Sequence, residues 1–148
     1  MNLGPGETLY WSNTLWRPYS YLQGVIPDMA VRAGLTAQVY GWSIQERELV
    51  AYWKPDAPGA SDRPLVLVTC GFHPVEGDTL GADAILEWLA DGGRDALKDV
   101  NLVLVPIANP DGFAQAYNGC NAVGVNFFWD FRRDDEAAWD VSFRQRRA

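Results

Sequence analysis

The segment PLVLVTC at residues 64–70 is a continuous apolar run of strand length. Such a run favours a strand that is buried on both faces, as in the centre of an α/β sheet. Residues 79–90 follow with an apolar stripe at helical spacing, Asp78 is placed to cap that helix, and VNLVLVP at residues 100–106 is a second apolar run. Strand, helix and strand in this order predict a βαβ unit, in which the C-terminal ends of both strands lie along one edge of the sheet.

Two more strands are predicted upstream of this unit. Residues 36–42 (TAQVYGW) and 48–53 (ELVAYW) are rich in β-branched and aromatic residues, and the polar stretch between them suits a hairpin. We therefore predict an α/β fold with a mixed sheet, mainly of central buried strands, and with flanking helices.

The length and composition suit one domain with a hydrophobic core, because the chain has 148 residues and 48% of them are apolar. Residues 1–35 are an aromatic-rich N-terminal segment that we expect to pack on the domain, with a short helix near residues 27–33 that ends at Gly34. We expect residues 36–131 to form the α/β unit and residues 132–148 to form an irregular, Arg-rich tail.

The formal net charge of −7 makes nucleic acid and anionic membranes poor partners. No apolar run approaches the roughly 20 residues that a membrane span needs, and the first residues do not have the pattern of a signal peptide. The two cysteines, Cys70 and Cys120, are too few for a disulfide framework, so we expect a cytoplasmic location with both thiols reduced.

The loop after the first buried strand contains the motif His73-x-x-Glu76, and His73 is the only histidine of the chain. Imidazole nitrogen and carboxylate oxygen are both good Zn²⁺ ligands, but a catalytic zinc needs three protein ligands and an open position for water. The spacing alone is a weak signal, because a lone histidine in a loop is more often an ordinary polar residue.

Four features that occur in one order along residues 39–131 resemble the zinc metallocarboxypeptidase family. They are Gly41-Trp42-Ser43 with Arg47 in the first hairpin, His73 and Glu76 after the first buried strand, Asn109-Pro110-Asp111-Gly112 after the second, and Gly124-Val125-Asn126 further on. The combination is more specific than any one of the motifs.

The resemblance implies that His73 and Glu76 are the first two ligands of Zn²⁺. It also implies a hydrolase that cleaves a peptide or amide bond at or near a C-terminus, where zinc polarises the carbonyl group and activates a water molecule while a glutamate acts as general base. The turn from Asn109 to Gly112 is expected to shape the floor of the site.

In the family, the third zinc ligand is a histidine and the general base a glutamate, both downstream of the matched segment. Residues 1–148 contain no second histidine, so we expect this chain to be the N-terminal half of the domain, with no catalytic residue of its own and no activity alone. Half a sheet would expose an apolar edge, which favours self-association or pairing with a partner that supplies the missing half.

Phe128 and Trp129 occupy the positions of the family's Asn-Arg pair, which binds the terminal carboxylate of the substrate. A carboxylate clamp needs a planar positive donor, and no arginine lies between Arg94 and Arg132. Recognition of a free C-terminus in the family's manner is therefore not expected. Phe128 and Trp129 either stack on an apolar or ring-bearing group of a substrate or pack in the core.

Two other functions remain open from the sequence. The chain can be a non-catalytic binding or scaffold module that keeps the fold without the chemistry, as the missing third ligand and base suggest. A related acyl-amino-acid deacylase also uses an H-x-x-E zinc pair, but the segments at residues 109–112 and 124–126 favour the peptidase.

Overall fold

The helices and strands are those of a computed structural model that describes residues 4–9, 17–54, 62–117 and 119–127. In chain order they are α1 (Tyr19–Arg32), β1 (Thr36–Trp42), β2 (Glu48–Trp53), β3 (Leu65–Thr69), α2 (Thr79–Ala90), β4 (Asn101–Val105) and α3 (Pro110–Gln115). Two short 3₁₀ helices, Pro74–Glu76 and Gly93–Leu97, flank α2. The predicted bounds of β1, β2 and α2 are confirmed, and those of β3 and β4 agree to within one residue at each end.

The described strands form one mixed sheet in the order β1-β2-β4-β3. β1 pairs with β2 and β2 with β4 in antiparallel orientation, while β3 and β4 are parallel. The parallel pair is connected through α2, as a βαβ unit requires. The predicted mixed α/β fold with flanking helices is therefore confirmed.

The burial of β3 differs from the prediction for residues 64–70. β4 is an interior strand, with Leu102 and Leu104 buried, whereas β3 lies at the edge of the described sheet. Leu65 is 57% exposed and Leu67 is 61% exposed. The prediction of a strand buried on both faces is wrong within the described residues, because the described helices pack against the opposite face of the sheet from Leu65 and Leu67. In addition, β3 has a neighbouring strand on only one side in these residues.

The core lies between one face of the sheet and the two long helices. Tyr52 of β2 belongs to this core. Its other main members are large apolar side chains from α1, α2 and β4, namely Leu22, Ile26, Leu86, Leu89, Leu102 and Leu104. None of the helices in the described ranges is long and apolar enough to cross a membrane.

Helix α1 starts eight residues before the short helix predicted near residues 27–33, and Pro27 lies inside it. A proline inside a helix loses one backbone hydrogen bond. Burial of Leu22, Ile26 and Ala30, spaced four residues apart on one face, outweighs that loss because all three join the core. The predicted end is confirmed, since Gly34 follows the helix with a φ of 74°.

Asp83 of α2 is a buried carboxyl group, only 4% exposed. One of its oxygens accepts a hydrogen bond from the Arg17 guanidinium, and the other has no hydrogen-bond partner among the described residues. Burial raises the pKa of Asp83 above its ordinary value of 3.8, and the Arg17 charge only partly offsets this rise.

We predict that the Asp83 carboxyl makes the folding stability fall as the pH rises. The folded state holds the proton more tightly than the unfolded state, so the stabilisation is complete below pH 3.8 and is lost as the pH rises through the folded-state pKa. Urea unfolding of dilute protein, followed by tryptophan fluorescence, is measured at a series of pH values from below 3.8 upwards. Wild type should lose stability relative to Asp83→Asn as the pH rises through the folded-state pKa. Asp91→Asn, at an exposed position after α2, is the control for loss of a carboxylate. A difference between wild type and Asp83→Asn that does not change with pH would refute the prediction.

Candidate metal site

Three loops meet where β3 and β4 end: residues 70–78, 106–112 and 119–127. The parallel hydrogen bonding continues past both strands, because the Ala108 amide donates to the Cys70 carbonyl and the Asn109 amide to the Gly71 carbonyl, each at 2.9 Å. Gly71 has a φ of 72°, and a Cβ atom there would lie 2.5 Å from the Ile107 Cα. Only glycine allows the first two loops to come so close.

His73 and Glu76 lie together in the first of these loops. The 3₁₀ turn Pro74–Glu76 brings the His73 Nδ1 atom to 3.2 Å from the Glu76 Oε2 atom. Two ligands that bind one tetrahedral Zn²⁺ at about 2.0–2.2 Å lie roughly 3.3–3.5 Å apart. The observed separation is close to that value, and it also suits a hydrogen bond between the two side chains.

Asp78 holds the backbone of this loop. Its Oδ2 atom accepts hydrogen bonds from the Phe72 amide at 2.6 Å and from the His73 amide at 3.0 Å. The sequence suggested Asp78 as the cap of α2, and it does stand directly before that helix. Its side chain makes no capping hydrogen bond to α2, however, so its carboxylate stabilises the loop that carries His73 instead.

The described residues bring two metal-binding side chains together, whereas a catalytic zinc requires three protein ligands. No group of three His, Cys, Asp or Glu side chains in these residues could hold a metal ion. Cys70 directly follows β3, and burial and, to a lesser extent, the Asp78 carboxylate raise the pKa of its thiol. His73 and Glu76 therefore fit two positions of a zinc site, and their role as ligands stays a prediction.

The His73 ring rests on the third loop. A Cβ atom at Gly119, which has a φ of 71°, would lie 2.7 Å from His73 Nε2 and 3.0 Å from Asn126 Nδ2. The imidazole therefore lies directly against the backbone of Gly119. A T-shaped contact between the rings of Phe72 and Phe127, with centroids 6.1 Å apart, adds a second link between the two loops.

Asn109 joins all three loops through its side-chain amide. The Asn109 Oδ1 atom accepts from the Gly112 amide at 3.0 Å and so caps α3. The Nδ2 atom donates to the Phe72 carbonyl at 3.1 Å and to the Cys120 carbonyl at 2.9 Å. Residues 109–112, predicted as a turn, are instead the N-cap and the start of helix α3, because the Asn109 side chain caps that helix. Asn109 also has direct bonds to both loops that surround His73.

Asp111, 1% exposed, connects the same turn to the β1–β2 hairpin. Its Oδ1 atom accepts from Ser43 Oγ and from Arg47 Nη1, each at 2.7 Å, and its Oδ2 atom accepts from the Gln45 amide at 3.2 Å. Arg47 also lies over the Tyr19 ring, 5.9 Å from its centroid. The Ser43 and Arg47 motif and the first turn of helix α3 are therefore one hydrogen-bonded unit, which the sequence does not reveal.

A cavity of about 530 Å³ lies beside this unit, between α1 and the hairpin. Apolar side chains such as Ile26, Val50 and Ile107 line it, and Glu46, Arg47 and Glu48 add charge. Its lining includes no residue of the loops at 70–78 and 119–127, so it is separate from His73 and Glu76. Phe128 and Trp129, predicted to contact substrate, lie outside the described residues.

Comparisons with known proteins match the fold. No family model and no curated protein matches the sequence. Among solved structures, a candidate carboxypeptidase A from Shewanella denitrificans superposes with a TM-score of 0.68 and 20% identity over 89% of this chain and 37% of that one. A candidate metallopeptidase from the same organism superposes with a TM-score of 0.60 and 25% identity over 85% of this chain and 47% of that one. A metallo-carboxypeptidase from Burkholderia cenocepacia superposes with a TM-score of 0.64 and 20% identity over 88% of this chain and 38% of that one. The chain has the fold of part of a metallocarboxypeptidase domain and spans less than half the length of these relatives.

We predict that Asp111→Ala lowers the free energy of unfolding by about 3 kcal/mol, because it leaves the partly buried Arg47 guanidinium and the Ser43 hydroxyl without their acceptor. Asp111→Asn keeps an acceptor oxygen and should cost less. Urea unfolding measures both. The exposed Asp95→Ala serves as control and should change the value by less than about 0.5 kcal/mol. A similarly small change for Asp111→Ala would show that the network contributes little.

Proposed function

We propose that this chain, which has the fold of part of a metallocarboxypeptidase domain, supplies two zinc ligands, His73 and Glu76, to a hydrolase of peptide or amide bonds. The observation that carries the proposal is the 3.2 Å separation of His73 Nδ1 and Glu76 Oε2 at the C-terminal edge of a parallel strand pair. Functional sites of open α/β sheets lie at that edge. The described residues hold no third ligand, so the isolated chain is proposed to be inactive.

Zinc, when bound, polarises a scissile carbonyl group and activates a water molecule. The residues of this chain orient the two ligands. Asp78 fixes the backbone amide of His73, and Gly119 supports the imidazole ring. A third ligand and a general base would come from polypeptide outside the described residues. The relatives have such polypeptide, because this chain covers only 37–47% of their length.

We place the protein in the cytoplasm, where thiols stay reduced. Cys70 and Cys120 are both free cysteines and form no disulfide with each other. The substrate is proposed to be a peptide or amide whose C-terminal carboxylate need not be free, because Phe128 and Trp129 replace the Asn-Arg pair.

A non-catalytic binding module is the second candidate, favoured by the presence of only two donors in the described part of the chain. Such a module keeps the fold and the loop that carries His73 without a need for metal. The two functions differ in one measurable property, which is whether the side chains of His73 and Glu76 bind zinc.

We predict that the purified chain binds one Zn²⁺ weakly, since two protein ligands leave the coordination incomplete. His73→Ala and Glu76→Ala should each lower the affinity by at least about 10-fold in isothermal titration calorimetry. Glu87→Ala removes an exposed carboxylate of α2 instead and should leave the affinity unchanged. Equal zinc affinity in wild type and His73→Ala would reject the proposed site and favour the binding module.

We also propose that the edge of β3 that has no neighbouring strand among the described residues pairs with a strand from the remaining polypeptide of such a domain. The register places Leu65 and Leu67 beside Asn101 and Val103, on the face opposite the core residues of β4. An exposed edge with large apolar side chains is a site for strand addition. The part of the relatives that this chain does not match is long enough to supply the strand, which makes it a better occupant than a second copy.

Without that polypeptide, we predict that the chain self-associates through β3 at concentrations on the order of 10–100 μM. Leu67→Lys should make it monomeric in sedimentation velocity, because a charge on an edge strand blocks edge-to-edge pairing. Val31→Lys, at an exposed position of α1, is the matched control and should associate as wild type does. A monomeric wild type across this range, or association that Leu67→Lys leaves intact, would contradict the proposal.

A further inference from the structure

We infer that Asn109 is a positioning residue for His73, because its side-chain amide fixes both loops that determine where the imidazole lies. The link to metal rests on the proposed function, but the placement of the ring does not. The sequence pattern suggested a role for Asn109 only as part of a turn. Its contacts assign it a more specific one.

Both N–H donors and the acceptor oxygen of this amide take part in hydrogen bonds. Asn109 is 1% exposed, so its polar atoms need protein partners. The Nδ2 group carries two N–H donors and has two carbonyl acceptors, those of Phe72 and Cys120, while Oδ1 accepts from Gly112. A buried amide with three hydrogen bonds has one favourable orientation, and it holds the groups bound to it in fixed relative positions.

The two carbonyl groups belong to the residues that determine the position of His73. Phe72 directly precedes His73, so its carbonyl defines where the His73 backbone begins. Cys120 directly follows Gly119, whose backbone lies against the imidazole ring. One nitrogen atom therefore fixes both the base of the His73 side chain and the surface on which its ring rests.

This arrangement bears on the 3.2 Å separation of His73 and Glu76. Without the amide nitrogen, the loops at residues 70–78 and 119–127 lose their shared donor, and two partly buried carbonyl groups lose a partner. Residues that orient a metal ligand without touching the metal typically change metal affinity 10–100-fold. Asn109 would act on zinc in this way, through the position of His73.

Substitutions can separate the capping role from the positioning role. Asn109→Asp and Asn109→Ser both keep an oxygen that can cap α3, and both lose the N–H donors. The aspartate adds a charge and the serine does not, so an effect that they share comes from the lost donors. Asn101→Asp is the matched control, because Asn101 is also buried and also donates through Nδ2 to a backbone carbonyl, that of Arg63, at the opposite end of β4.

The only histidine of the chain provides the readout. Its Cε1–H group gives a single signal in a ¹H–¹³C NMR spectrum of the metal-free protein at one fixed pH. We expect Asn109→Asp and Asn109→Ser to shift or broaden this signal and to lower zinc affinity about 10–100-fold, while Asn101→Asp leaves both unchanged although it also loses stability.

Loss of stability in the Asn109 variants with the His73 signal in place would overturn the inference and leave Asn109 as a structural cap. If Asn109→Asp does not fold, Asn109→Ser alone carries the test, because serine is a good cap without added charge. If wild type binds no zinc, the proposed function fails, but a shifted His73 signal in the metal-free variants still establishes the positioning role.

Discussion

The candidate site depends on hydrogen bonding between β3 and β4 that continues beyond both strands. The segment from Leu65 to Gly71 stays paired with the segment from Asn101 to Asn109, first as a parallel ladder and then through the backbones of the following loops. A parallel pair places both strand ends on the same side of the sheet, so the loop with His73 and the turn with Asn109 must meet there. Gly71 permits that close approach, and the Asn109 amide then ties in the third loop.

Local sequence patterns are sufficient to predict most of the secondary structure. The bounds of β1, β2 and α2 follow from residue type and periodicity, because the local preference of each segment agrees with the structure that it has in the fold. Helix α1 shows the limit of such patterns. Pro27 marks a helix start or a break in isolation, and only the packing of Leu22 and Ile26 against the core shows that the helix runs through it.

The site was predictable in part. The motifs indicated that His73 and Glu76 lie near each other, since they are three positions apart in the loop that follows a strand. The contact between Arg47 and Asp111 spans 64 positions, and no local pattern reports such a contact. The role of Asn109 was hidden for the same reason, because its acceptors lie 37 and 11 residues away along the chain. Family resemblance indicated that these motifs belong together, and the structure shows the bonds that connect them.

The bond between Arg47 and Asp111 also has a consequence for synthesis on the ribosome. The hairpin emerges first, with Ser43 and Arg47 exposed to water, and its buried acceptor is added 64 residues later. At about 5–20 residues per second, that delay is roughly 3–13 s. The hairpin therefore lacks its bond to Asp111 until β4 and the start of α3 have left the exit tunnel. Nascent chains that end before Asp111 are expected to be targets for chaperones that bind exposed aromatic strands.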